Sequence, residues 1–177
     1  IPIELLRMFE LVVVPDFAGL KTPYFVPRNQ LVRYLNAKRN VEMLQKYVSE
    51  GGGLFFAPLM TGGGEEVAEG CNLMLAPWDA KVSAAQVRDD AHAGMDGQYA
   101  WTTNIAQTPV TAGVERVWYP TNMLRWDDAY ATVPLVVGKD WQVAVRGMPE
   151  SVAARGWQYA HWKPLKDRTA PVIAAVR

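Results

Sequence analysis

Thiol and imidazole chemistry in this chain can run through only three side chains, Cys71, His92 and His161. A working cysteine nucleophile sits on a sharp strand-to-helix turn, with a His and a carboxylate to activate it. Cys71 follows Val67 by four residues and precedes Met74 and Leu75 by three and four, which puts it on the apolar face of a helix as a small core residue. Neither histidine stands at a spacing that ties it to Cys71. No catalytic residue is assigned. A single cysteine also excludes an intramolecular disulfide and a self-contained Cys-rich zinc site.

Gly62-Gly63-Gly64 stands before a helix, where free backbone N–H groups and the helix dipole attract anions. Glu65 and Glu66 lie in the first turn of that helix and already satisfy the dipole. They would repel a phosphate at about 4 Å by roughly 1–4 kcal/mol, depending on local dielectric. The Lys-Ser/Thr that completes a P-loop is absent. The loop therefore reads as a turn that binds a neutral polyol, or as a capped turn and nothing more. Asp16 leaves the carboxyl end of an apolar strand, the edge at which open α/β sheets bind ligands. Asp16, Gly62, Gly63, Gly64 and Glu65 make up the candidate ligand-binding set.

Two further acidic groups have bland readings. Asp89-Asp90 with His92 offers hard-cation ligand types, but such a run in a polar loop reads as solvated, and no metal or cofactor is assigned. Asp127 and Asp128 are adjacent, so on an extended segment they face opposite ways and make a poor acid–base pair. A salt bridge from Arg125 is the simpler expectation. Trp and Tyr gather in the second half, from Trp118-Tyr119 to Trp162. In Trp157-Gln158-Tyr159-Ala160-His161-Trp162 aromatics alternate with small or polar residues, which sets an aromatic row on one strand face. Trp157, Tyr159 and Trp162 are the candidate interface, with core packing and glycan stacking as the alternatives.

The elements that must position these residues follow from periodicity. Pro2 to Phe9 reads as a short helix with Pro in its first turn. Leu11-Val12-Val13-Val14 is an apolar run of the kind buried on both faces of a parallel sheet. A helix is expected from Asn40 to Glu50, capped by Asn40 and stopped by Gly51-Gly52-Gly53. A second strand covers Leu54 to Leu59, and a second helix carries Cys71 and ends at Pro77. Strand–helix–strand–helix is the signature of an α/β sheet. Asp89 to Thr103 shows no clear period. Val117-Trp118-Tyr119, Val133 to Val137, Trp141 to Val145 and Ala170 to Arg177 are strand-like, and the turn Gly138-Lys139-Asp140 suggests a hairpin.

The order of these segments resembles the class I glutamine-amidotransferase-like superfamily. The motifs are Leu11-Val12-Val13-Val14-Pro15-Asp16, Tyr47 to Leu54, and the Gly63-Gly64-Glu65 loop. Asn72-Leu73-Met74-Leu75, Ala80-Lys81-Val82 and Val87-Arg88-Asp89 are similar to the non-catalytic branch, which includes domains of intraflagellar-transport proteins and ABC-type auxiliary proteins and, more loosely, ThuA-like proteins. Thr108-Pro109-Val110-Thr111-Ala112-Gly113-Val114 is similar to a turn of these domains, with Thr108 where a His is common. The resemblance implies a three-layer, flavodoxin-like α/β domain with a mostly parallel sheet and an added β-rich segment in the second half. It also implies a single domain over residues 1–177, incomplete at both ends and part of a larger protein.

The function expected on this basis is a catalytically inactive binding or assembly module. The alternative is a ThuA-like or carbohydrate-processing hydrolase using carboxylates such as Asp16 and Glu65. Composition narrows the partners. Eighteen Lys+Arg balance eighteen Asp+Glu, and no basic run exceeds Lys38-Arg39, so the concentrated positive face that nucleic acid requires is missing. No apolar run is long enough to span a bilayer. Expected partners are other domains or subunits, a second copy of the chain, or a carbohydrate. The compartment stays open between cytoplasm and export.

Overall fold

A computed structural model describes residues 2–14, 30–57, 60–61, 65–94, 97–121, 130–155, 163–165 and 169–177. Pro2, which has no N–H to leave unpaired, opens the short helix α1 (Ile3–Leu6). The apolar run that follows forms β1 (Leu11–Val14). Helix α2 (Gln30–Ser49) begins at Gln30, not at Asn40 as the cap signal suggested. Its first turns are rich in Leu, Arg, Ala and Lys, good helix formers that outweigh the weak preference of Asn for a cap. Gly51, at φ +97°, ends the helix in a left-handed conformation that a side chain would strain. Strand β2 (Gly53–Phe56) then pairs with β1 in parallel, from Leu11 opposite Gly53 to Val14 opposite Phe56.

Beyond this unit come β3 (Met60–Thr61), α3 (Glu65–Leu75) and a 3-10 turn at Ala76–Trp78, where Pro77 stops the helix. The remainder is a succession of short strands. These are β4 (Ala80–Val82), β5 (Gln86–Arg88), β6 (Ala93–Gly94), β7 (Tyr99–Thr102) and β8 (Val117–Pro120). Then follow β9 (Tyr130–Ala131), β10 (Leu135–Val137), β11 (Gln142–Arg146), β12 (Val152–Arg155), β13 (Lys163–Pro164) and β14 (Val172–Val176).

The strands form small sheets ordered β1-β2, β11-β14-β10-β4, β13-β12-β5, β3-β9 and β6-β7-β8. Among these pairs only β1–β2 is parallel; every other is antiparallel. This overturns the flavodoxin-like expectation of one mostly parallel sheet. The physical reason lies in the connections. A parallel pair needs a crossover of about a dozen residues or more, usually a helix, and the described chain after the 3-10 turn supplies none. The hairpin expected around Gly138-Lys139-Asp140 is also absent: β14 lies between β10 and β11 and pairs antiparallel with both. The stretch from Asp89 to Thr103, which has no readable period, contains β6 and β7.

Three apolar clusters hold the structure together. One gathers Ile3, Leu6, Val41, Leu44, Tyr47 and Met74, so α1, α2 and α3 cover the face of β1–β2 that carries Val12, Val14, Leu54 and Phe56. A second packs α3 on β4 through Ala68, Cys71, Leu75, Ala80 and Val82. The third joins Val87 of β5 to Ala100 of β7 and Tyr119 of β8, with Ile173 of β14 against it. Among the described residues no helix is long and apolar enough to cross a membrane.

Candidate functional site

Of the sequence-derived candidates, Asp16, Gly62, Gly63, Gly64, Trp157, Tyr159 and Trp162 lie outside the described residues, as do Asp127, Asp128 and His161. Glu65 opens α3, but its side chain lies outside the described set too. Cys71 is fully buried, as its helical spacing implied. Burial pushes its thiol up to about 12, so at neutral pH it is protonated as well as inaccessible.

A different group of residues converges around the end of β5. Asp89, read from sequence as part of a solvated loop, is 1% exposed. Its Oδ1 accepts the backbone N–H of His92, three residues on, at 3.0 Å, a local side-chain-to-backbone bond. The His92 ring turns back so that Nδ1 lies 3.0 and 3.1 Å from the two carboxylate oxygens. The hydroxyl of Tyr119, reaching in from β8, donates to Oδ2 at 3.2 Å. Burial, reinforced by the negative charge of Asp89 and its hydrogen bond, pushes the Tyr119 phenol well above its usual range, so it stays a donor. A carboxylate has no proton to give, so His92 carries its proton on Nδ1 and presents Nε2 outward.

Two neighbouring elements complete the setting. The β5–β12 pairing, with Val152 opposite Arg88, brings the turn before β12 alongside. It places Glu150 Oε2 3.9 Å from His92 Nε2, too far for a direct hydrogen bond. On the other side His92 meets the Trp101 ring edge-on, with centroids 4.9 Å apart and an interplanar angle of 80°. The Arg116 guanidinium lies over Trp101, 4.7 Å from its centroid.

Trp101 belongs to an aromatic face built by strand alternation. In the β6–β7–β8 sheet Tyr99 pairs with Gly94 and Pro120, and Trp101 with Trp118. With side chains alternating along each strand, Gly94, Tyr99, Trp101, Trp118 and Pro120 share one face. Ala100, Thr102 and Tyr119 point to the other and are buried. Trp118 is 48% exposed. The far end of its indole crosses β7 to rest on β6, where a Cβ on Gly94 would stand 3.1 and 3.2 Å from it. Glycine is what lets the ring lie there.

Among the described residues, Asp89 and His92 belong to no group of three ligand-type side chains that could hold a metal ion. Asp90 turns instead to Arg88, at 3.2 Å. Among the described residues no three His, Cys, Asp or Glu side chains converge as a cation would need. What the arrangement offers is an imidazole of fixed orientation and tautomer, an opposite carboxylate and an exposed aromatic floor. Elsewhere an open cleft of about 420 Å³ lies between α3, β4 and β10, lined by Asn72, Asp79, Lys81 and Gly138. The Asn72 amide is committed there to the backbone of Val82, accepting its N–H at 2.7 Å and donating to its C=O at 3.2 Å.

Sequence reasoning named Trp118 only as one of many aromatics, and it did not single out Tyr99, Trp101, Arg116 or Glu150. A signal was present in Tyr99-Ala100-Trp101-Thr102, which alternates aromatic and small residues, and in an Asp three residues before a His, a spacing at which the carboxylate can take the backbone N–H. The chain matches no protein-family model, no curated protein and no solved structure.

Proposed function

We propose that this chain is a catalytically inactive binding and assembly module of a larger protein, and that it assembles through the bare face of β1–β2 with a second copy of itself. The observation that carries the reading is the exposure of Leu11, Val13 and Phe55, at 56%, 54% and 57%. Alternation puts these three on the face away from the helices, and Val13 stands opposite Phe55 in the register. Parallel strands normally bury both faces, and among the described residues only the helical layer covers this β-pair. The buried, protonated state of Cys71 supports the absence of thiol catalysis.

A second copy suits this face for two reasons. None of the three side chains carries a charge, and the chain as a whole is neutral, so two copies meet without long-range repulsion. The three side chains expose on the order of 300 Å², well below the ~800 Å² per partner of a standard interface, so the expected dimer is weak and concentration-dependent. Sedimentation equilibrium from micromolar to millimolar protein tests this. The average mass should rise toward twice the chain mass, and Val13→Lys or Phe55→Lys should hold it at the monomer with unchanged circular dichroism. A wild-type chain that stays monomeric throughout would overturn the reading.

A further inference from the structure

The aromatic face of β6–β7–β8 lies on different elements from β1–β2, and it stands whether or not the chain self-assembles. We infer that it is a binding site for a neutral oligosaccharide, whose sugar rings stack on Trp118 and Tyr99 while hydroxyls meet His92, Glu150 and Arg116. Trp118 is nearly half exposed, and Tyr99 on the same face is 36% exposed. Large exposed aromatic rings are costly in water and repay it by stacking on a ligand that has an apolar face. A pyranose has such a face, formed by its axial C–H groups, with hydroxyls around the rim. The site supplies both halves: rings on the sheet, and polar groups at the edge of Trp101.

The polar edge is built, not incidental. His92 is held by a buried carboxylate that is itself tied to Tyr119, so its Nε2 is aimed before any ligand arrives. Nε2 and Glu150 Oε2 stand 3.9 Å apart and are both acceptors, so neighbouring hydroxyls of one sugar ring can donate one proton to each. Arg116 offers guanidinium donors above Trp101.

Charge selects against other stacking ligands. Single-stranded nucleic acid also stacks on aromatics, but it needs a positive groove along its backbone. Here Arg116 follows Glu115 in sequence and shares the site with Glu150, in a chain with no net charge. A quaternary ammonium would take the face of Trp101, and Arg116 already occupies it. A neutral polyhydroxylated ring meets neither obstacle.

The test is calorimetric titration of the full chain, at a concentration where it is monomeric, with cellohexaose, chitohexaose and maltohexaose, and with heparin and an oligothymidylate as charged controls. At least one neutral hexasaccharide should bind, and Trp118→Ala should weaken it by about tenfold or more. Gly94→Val, which forces the indole off its seat, should weaken it too. Trp141→Phe, at a ring that packs on the α3–β4 cluster and whose Nε1 donates to the Trp78 carbonyl, should leave binding unchanged. Equal urea midpoints for wild type and Trp118→Ala show that the fold is intact. The proposal is overturned if no neutral hexasaccharide binds at millimolar concentration, if binding is indifferent to Trp118, or if only heparin or the oligonucleotide binds. Self-assembly is distinguished from sugar binding because it is followed by mass, and Val13→Lys should bind sugar as wild type does.

Discussion

Replacing Asp89 with alanine should cost this protein a large part of its stability. The carboxylate is 1% exposed and accepts from the His92 amide at 3.0 Å, His92 Nδ1 at 3.0 Å and the Tyr119 hydroxyl at 3.2 Å. Tyr119 is itself 2% exposed, so no water replaces the lost partner without opening the β5–β8 contact. Each buried donor left unsatisfied costs about 1–3 kcal/mol. Allowing for partial relaxation of the His92 ring, which is nearer the surface, Asp89→Ala should destabilise by roughly 3–5 kcal/mol, against a typical total of about 5–15 kcal/mol. Asp89→Asn keeps one acceptor oxygen, and the Tyr119 hydroxyl can rotate to accept from the new NH₂, so its cost should be about 1–2 kcal/mol. Tyr119→Phe removes one donor and leaves the carboxylate its bonds to His92, for about 1 kcal/mol. Urea unfolding followed by far-ultraviolet circular dichroism measures all three. The ranking Ala, Asn, Phe with an unchanged m-value is the expected result. An Asp89→Ala midpoint indistinguishable from wild type would refute the reasoning, because it would mean that Tyr119 and the His92 amide find other partners.

Two further outcomes are expected. Gly52→Ala should destabilise by about 2 kcal/mol or more, because the new Cβ would fall within the ring of Tyr47, which is buried and anchored by its hydroxyl to the Phe9 carbonyl at 2.6 Å; thermal or urea unfolding reads it. Stability should also fall as pH rises above about 9, because the unfolded chain releases the Cys71 proton near its ordinary value while the folded chain holds it to about 12; with fewer protons bound unfolded than folded, the slope is negative, on the order of 1 kcal/mol per pH unit. Cys71→Ala should flatten that slope in urea midpoints taken from about pH 8 to pH 10, and an equal slope in both proteins would sink the assignment.

Several things about this protein could be read from the chain alone. Four consecutive apolar residues, three of them β-branched, made β1 legible as a strand, and three glycines marked the end of α2, because both signals are local; the expected burial of both β1 faces is not found, since Leu11 and Val13 are exposed. Cys71 could be placed in a helix core from its spacing, for the same reason. Charge balance argues against a nucleic-acid face without any structure, since it depends only on counts and runs, and this remains an expectation. The start of α2 was misplaced because a good local cap, Asn40, lies within a longer stretch of good helix formers.

What periodicity could not supply was pairing. Leu135–Val137 and Gln142–Arg146 look like the arms of a hairpin, yet β14, close to the last residue, lies between them. That choice rests on contacts between segments far apart in sequence, which no local window records. The aromatic face has the same origin. Trp118 and Tyr119 are neighbours in sequence, but the register of β7 against β8 sends one outward and the other down onto Asp89. Shifting that register by one residue would exchange them. The residue types were in the sequence from the start, but only strand pairing decided which aromatics meet solvent and which carboxylate is buried, because burial is a property of the assembled sheet and not of any single strand.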